Sequence, residues 1–510
     1  MSRLCWGLLV GAFALLGCDS CSSDAHRDIA SPRPTSGSDH GSAALGDAGA
    51  GVALGDGGAV APEPPIGSLD APAGSLDALY AGFAATERAD PAHPDPASRA
   101  LLLFFGDSHT AGDSLTSRLR VTFQQRFGDA GRGLVAAGHA PTRHYYQRDV
   151  HYGISGTWHA AVGGAHGDVE PFGIAGLRVF GTQKGAQLWV ETCGDCLAGQ
   201  AVGQFEIFYY AAPDHGVLRY RVDDQAWQQL STRTTASEPP HTAREVIPVA
   251  DGPHKLTLEH GGGGTLDLFG VAMERARPGV IVDSLGVVGR RLGSLRSWDW
   301  SIIGEQLATR DPKLVVLQYG TNEADDPDIN LDDLARYYDE TILRIRAAAP
   351  TSSILILGPP DMATREAGKA CDHMKPARTA AGAGSGSAAV IPECQWRTPQ
   401  ILEQIIAVEH AAAIRNHVAF FDTFAAMGGA DQMDTWFTGD PRIAYRDRVH
   451  FTDLGYQMWA DGLSSTLLRG YARWRDAQHL PPSAKAVAGT PPPRTQGSAA
   501  LPGSSPATAP

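Results

Sequence analysis

Apolar residues fall in short continuous runs separated by amphipathic stretches over much of this chain. Residues 101–105, Leu-Leu-Leu-Phe-Phe, form an unbroken apolar run closed by Gly106, the pattern of a strand buried on both faces. Residues 115–127 follow with the periodicity of an amphipathic helix. The alternation resumes far along the chain, with strands expected at 280–282, 313–318, 353–357 and 418–421. Helices are expected at 331–348, 398–416 and 453–468. Alternating strands and helices predict a doubly wound sheet with helices on both faces.

The pattern changes between about 152 and 274. Short alternating stretches at 187–191, 204–210, 217–222 and 254–259 are separated by Gly, Pro and Asp turns, with no helix of useful length. This predicts a β-sandwich inserted into the α/β domain, an arrangement made easy by the closeness of chain ends in compact domains. The expected division is a catalytic-type domain at 83–150 and 278–475 around an insert at 151–277. The insert holds Trp158, Trp189, Phe205, Phe208, Tyr209, Tyr210, Tyr220, Trp227 and Phe269. Most are expected in the sandwich core, with one or two free to stack on a sugar.

The two ends carry a different composition. Residues 1–18 read as an export signal, with Arg3 before an apolar run at 8–16 that is too short to span a bilayer comfortably. Residues 19–82 and 476–510 are rich in Ala, Gly, Ser and Pro and are expected to form a flexible linker and tail. Leu15-Leu16-Gly17-Cys18 resembles the bacterial lipobox, which implies lipidation of Cys18 and a protein tethered to a membrane of the cell envelope, periplasmic or at the outer surface. Which membrane is left open. Of the seven cysteines, Cys193 and Cys196 form Cys-Gly-Asp-Cys, and Cys371 and Cys394 bracket a Gly- and Ser-rich segment. In an oxidising compartment each pair reads as a disulfide. The rival reading of Cys193 and Cys196 as a redox or half-zinc site lacks a second ligand pair at suitable spacing, and no metal is expected.

Hydrophobic residues make up 43% of the 510, enough for a large core, and two folded units are expected. A formal charge of −14 argues against a nucleic-acid partner, since nothing here neutralises a phosphate backbone.

Four blocks carry candidate chemistry. Gly106-Asp107-Ser108-His109 sits between the first strand and the first helix, at the carboxyl edge where open α/β sheets bind ligands. Ser108 can be a nucleophile there, although Gly, Asp and Ser also suit a helix cap. Asp447-Arg448-Val449-His450 precedes the last helix. A serine hydroxyl needs a histidine to take its proton, and that histidine needs a carboxylate to fix its tautomer. Gln318 to Glu323 ends another strand, and the Asn322 amide can donate to an oxyanion or cap a helix. In the stretch from Ser284 to Gly289, glycines let a backbone N–H approach a substrate or simply make a tight turn.

In the order Ser108, Gly289, Asn322, Asp447 and His450, these blocks resemble those of the SGNH, or GDSL-like, hydrolase family. The resemblance implies a three-layer α/β/α, flavodoxin-like esterase with Ser108 as nucleophile, His450 as general base and then acid, and Asp447 as its orienter. The Ser108 and Gly289 N–H groups and the Asn322 amide would form the oxyanion hole, and no cofactor is implied. Position 109 is His where many relatives have Leu, and position 323 is Glu where many have Asp. The choice of Gly289 over Gly286 rests on the least distinctive block. With a jelly-roll-like insert, the blocks look like the branch of bacterial peptidoglycan O-acetylesterases. That branch implies an acylated envelope polysaccharide as substrate. A polysaccharide O-acetyltransferase with the same triad, or an inactive glycan-binding lipoprotein, stand as alternatives, and the oligomeric state is left open.

Overall fold

The computed structural model describes residues 68–90, 95, 98–138, 145–164, 171–365 and 396–480. The expected signal, Cys18, most of the linker, Cys371, Cys394 and residues 481–510 lie outside the described residues.

A six-stranded sheet forms the centre. Its strands are β1 (Ser68–Asp70), β2 (Arg99–Gly106), β3 (Gly279–Gly286), β4 (Leu314–Gln318), β5 (Ser353–Leu357) and β6 (Ala419–Asp422), in the order β1-β6-β5-β4-β2-β3. All neighbours pair in parallel except β1, which lies antiparallel on β6 at the edge. Alternation along β2 serves both faces. Leu103 and Phe105 enter one apolar cluster with helices α4 (Trp300–Arg310), α6 (Leu331–Ala348) and α7 (Gln400–Arg415). Leu102 and Phe104 enter the other with α1 (Asp77–Arg88), α3 (Ser114–Phe127) and α10 (Asp453–Ala477). Short helices α2 (Ser108–Ala111), α5 (Thr321–Ala324), α8 (Thr423–Met427) and α9 (Gln432–Thr438) lie in the connections. This is the three-layer α/β/α architecture.

The insert is a sandwich of two antiparallel sheets, one running from Gln228–Ser231 to Val150–Ser155 and the other from His241–Gly252 to His159–Val162. It begins earlier than the expected residue 151. The strand Gly131–Val135 pairs with Leu266–Glu274 of the insert. Its Gly-Arg-Gly opening hides it from periodicity, yet Gly133 at φ 93° is required, because a Cβ there would lie 2.2 Å from Asp283 Oδ1.

The expected linker also ends too late. Residues 68–70 already pair with β6, and α1 begins at Asp77. Leu76, Leu79, Tyr80 and Phe83 make an i, i+3, i+4, i+7 apolar stripe inside an Ala- and Gly-rich stretch, and all four are buried. Phe83 stacks on Phe127 of α3 with ring centroids 4.3 Å apart. At the other end, α10 runs through Ala477, beyond the expected 468 and past the expected start of the tail at 476, because Tyr471 packs edge-on against Phe83. Helix α4, capped by Asp299 accepting from Ser301 N–H, was not legible as a helix.

The insert is bolted to the sheet by a buried ion cluster. Arg310 of α4 donates to Asp283 of β3 at 2.7 Å and to Glu274 on the last insert strand, and Glu274 also accepts from Arg99 at 2.7 Å.

Candidate active site

The parallel strands all deliver their carboxyl ends to one edge, and the four sequence blocks meet there. Strand β2 ends at Gly106, where a Cβ would lie 2.2 Å from Thr110 Oγ1, so the chain can turn tightly into α2. Asp107 caps that helix by accepting from His109 N–H at 2.9 Å, which leaves Ser108 as its first residue. The cap is therefore Asp107 and not Ser108.

The Ser108 hydroxyl lies 2.8 Å from His450 Nε2, and His450 Nδ1 lies 2.8 Å from Asp447 Oδ2. Asp447 Oδ1 accepts the backbone N–H groups of Val449 at 3.0 Å and His450 at 3.1 Å. The turn that makes this possible places Arg448 in the left-handed region at φ 55°. Its cost is offset by anchoring: Arg448 donates to Asp434 at 2.6 Å and lies over the rings of Trp396 and Phe437. Nothing in the spacing of the block marked Arg448 as a support.

Burial opposes the Asp447 charge, but the hydrogen bonds from His450 and the two backbone N–H groups win and hold its carboxyl down at about 2. Burial likewise opposes protonation of His450, and the Asp447 and Asp107 carboxyls raise it above its ordinary 6.5. A general base must be neutral, so kcat/KM rises with pH through that raised value. Asp447→Asn removes its main cause, and the limb of the pH–rate profile shifts toward acid. An unmoved limb in stopped-time ester assays would mean that another group sets it.

The third block sits beside the first, since Gln318 of β4 is register partner of Gly106. Helix α5 is headed by Gly320, so Asn322 is not its cap. The Asn322 side-chain amide donates to Arg290 O at 3.1 Å, and the Asn322 backbone carbonyl accepts from Arg291 Nε at 3.0 Å. Glu323, fully buried, accepts from Gly320 N–H at 2.9 Å and from Leu292 N–H at 2.7 Å, binding the segment just after the second block to the third. Here the longer Glu spans two loops.

The second block gives its two glycines different places. Strand β3 continues to Gly286, where a Cβ would lie 2.1 Å from Ala111 N, so Gly286 is the close-approach glycine against α2. Gly289 instead occupies the third position of a turn closed by Arg290 N–H to Val287 O at 3.1 Å, with φ 72°, which type II geometry demands. It is exposed, with open space around its Cβ position. The insert reaches this turn, because Arg290 Nε donates to Gly163 O at 2.7 Å.

Beneath the triad lies a buried floor of titratable side chains. Burial drives His109 well below its ordinary value, and its Nδ1 lies 3.0 Å from the Tyr456 hydroxyl. Burial pushes Asp107 up to about 7 and raises Glu323 and Glu409 as well. Above it opens a cleft of about 580 Å³ lined by Ser108, Asp447, His450, Tyr146, Arg148 and Tyr445, among others. The arrangement can deprotonate a serine and hold an ester beside it.

Cys193 and Cys196 are joined in a disulfide. His151, brought alongside by the strand Val150–Ser155, stands with Asp195 and Cys193 in one group. The bonded sulfur is not a thiolate, so the group has no soft ligand to offer a metal.

Residues 251–458 match the GDSL-like lipase/acylhydrolase family, a stretch that holds Gly289, Asn322, Asp447 and His450 and leaves Ser108 before it. No curated protein sequence matches the chain. Among solved structures, a peptidoglycan O-acetylesterase is 21% identical with a TM-score of 0.59, covering 78% of this chain and 96% of that one. An acetyl xylan esterase is 16% identical over 37% of this chain and 80% of that one, with a TM-score of 0.25. A family two carbohydrate esterase from Clostridium thermocellum is 11% identical over 63% and 99%, with a TM-score of 0.24. The first similarity shows a shared fold.

Proposed function

We propose that this chain, which matches the GDSL-like lipase/acylhydrolase family over residues 251–458, is an SGNH-type esterase that removes O-acetyl groups from a cell-envelope polysaccharide such as peptidoglycan. The observation that carries the reading is the hydrogen-bonded series Ser108, His450, Asp447 at the floor of an open cleft. His450 takes the Ser108 proton as Oγ attacks the acetyl carbonyl, and Asp447 stabilises the imidazolium that results. The Ser108 N–H, as first residue of α2, the Gly289 N–H and the Asn322 amide are the donors for the oxyanion. Collapse of the tetrahedral intermediate breaks the ester bond, His450 returns the proton to the departing sugar hydroxyl, and acetyl-Ser108 remains. Water, deprotonated by His450, then releases acetate.

Hydrolysis is favoured over transfer by the wetness of the site. The side chains of His450 and Asp447 keep 35% and 49% of their surface open, whereas a transferase must exclude water from its acyl-enzyme. The lipobox-like stretch ending at Cys18 supports a tethered protein within reach of envelope glycans. The test is release of free acetate from O-acetylated peptidoglycan, with an oligosaccharide acceptor added in parallel. Acetate in solution is the expected result. Acetyl groups appearing on the acceptor instead would make the protein a transferase, and neither product would leave glycan binding without catalysis.

A further inference from the structure

Exposure singles out two aromatic rings. Among the described residues, Tyr146 and Tyr445 are the aromatic members of the exposed large apolar side chains, each 53% open, and both line the cleft that holds Ser108. The other exposed large apolar residues, Ile154, Leu197, Val246, Leu343, Ile414 and Leu454, are aliphatic and lie outside its lining. A ring left half in water gives up much of its burial free energy, so two such rings converging on one reactive serine suggest a partner that covers them.

Both rings are placed by the catalytic backbone. Tyr146 N–H donates to Ala111 O at 3.0 Å, which ties it to the helix of Ser108. Tyr445 N–H donates to His450 O at 2.8 Å, and Tyr445 O accepts from Arg448 N–H at 3.1 Å, which ties it to the turn of Asp447 and His450. In the same lining Arg148 donates to Asp453 at 2.8 Å and Ser114 to the same carboxylate at 3.1 Å, a polar set suited to hydroxyl groups. The part-exposed tryptophans of the insert are engaged otherwise. Lys255 Nζ lies 4.1 Å from the Trp189 ring centre, and the guanidinium groups of Arg219 and Arg221 each lie 4.8 Å from that of Trp227. Those faces are already occupied by cations.

We propose that Tyr146 and Tyr445 form the sugar-binding subsite of the enzyme, stacking on pyranose rings of the glycan while its ester sits at Ser108. The aromatic recognition of the polymer is then in the catalytic cleft and not on the sandwich. This inference rests on the esterase reading above and specifies its substrate contact. An amphipathic ring with a polar tip fits a sugar, which offers an apolar C–H face and a polar rim.

The test compares kcat/KM of the full chain on O-acetylated peptidoglycan fragments and on p-nitrophenyl acetate, which has no sugar to stack. Tyr146→Ala and Tyr445→Ala should each lower the preference for glycan over the small ester by about tenfold, mainly through KM. Tyr→Phe at either position should retain most of that preference, because the ring remains. Equal losses on both substrates, or a preference that survives both alanine variants, would overturn the subsite while leaving the esterase intact. If wild type and Ser108→Ala release glycan acetate at the same rate, the esterase reading fails and the subsite fails with it.

Discussion

Ser108→Ala should lower hydrolysis of p-nitrophenyl acetate by roughly 10⁴-fold or more, because without the hydroxyl no acetyl-enzyme can form and only the bound oxyanion donors act on water. The protein should otherwise be unharmed. Ser108 is half-buried, and its hydroxyl bonds His450 alone among the described side chains. A further His450→Ala change should add little, since the two groups act as a unit. Initial rates for the single and double variants decide this, and a Ser108→Ala enzyme that keeps a tenth of its activity would remove the serine from the mechanism.

The largest expected effect on stability lies just behind that serine. Asp113 is fully buried between two buried arginines, accepting from Arg132 at 2.6 Å and Arg120 at 3.2 Å, from the Thr116 hydroxyl at 2.6 Å and from Arg148 N–H at 2.8 Å. Arg120 also pairs with Asp149 at 2.5 Å. Asp113→Ala strands the Arg132 charge in the interior and should cost about 3–5 kcal/mol in urea unfolding. The residue also sits at φ 51°, a conformation that Asn tolerates better than Ala, so Asp113→Asn should lose less. Burial raises its carboxyl, but the Arg120 and Arg132 charges outweigh that and hold it below 3.8. A lowered folded value means that its contribution is complete at neutral pH and is lost as pH falls below about 3.8. A variant as stable as wild type at pH 7 would show that the cluster carries no net energy.

The parts of this molecule written in local pattern were legible before its fold. The apolar runs of β2, β4 and β5 are buried on both faces and need no partner to be recognised. The helix at Leu331–Ala348 starts and stops where its periodicity does. What escaped depends on distant partners. The strand Gly131–Val135 carries two glycines and makes sense only against Leu266–Glu274. Helix α1 lies in a composition that reads as linker, and its apolar stripe is satisfied only by distant partners, the central sheet together with α3 and α10.

The site divides in the same way. Ser108, Asp447 and His450 could be nominated from residue types that serine chemistry requires, although 342 positions separate the serine from the histidine. The supports could not. Arg448, Glu323 and Arg290 act through the Asp434 carboxylate, the Leu292 N–H and the Gly163 carbonyl, none of which is marked by a spacing rule. The pattern favours Gly289 over Gly286 only on the least distinctive of the four blocks. The fold separates them, one pressed against α2 and the other turning in the open.

Peptide mapping of the full chain after treatment with a serine-reactive fluorophosphonate tests the central claim most directly, because it asks which hydroxyl is activated without assuming a substrate. The account predicts a single adduct on Ser108, formed faster as pH rises through the His450 titration and lost in His450→Ala. Labelling elsewhere, or labelling of Ser108 at the same rate when His450 is gone, would contradict it.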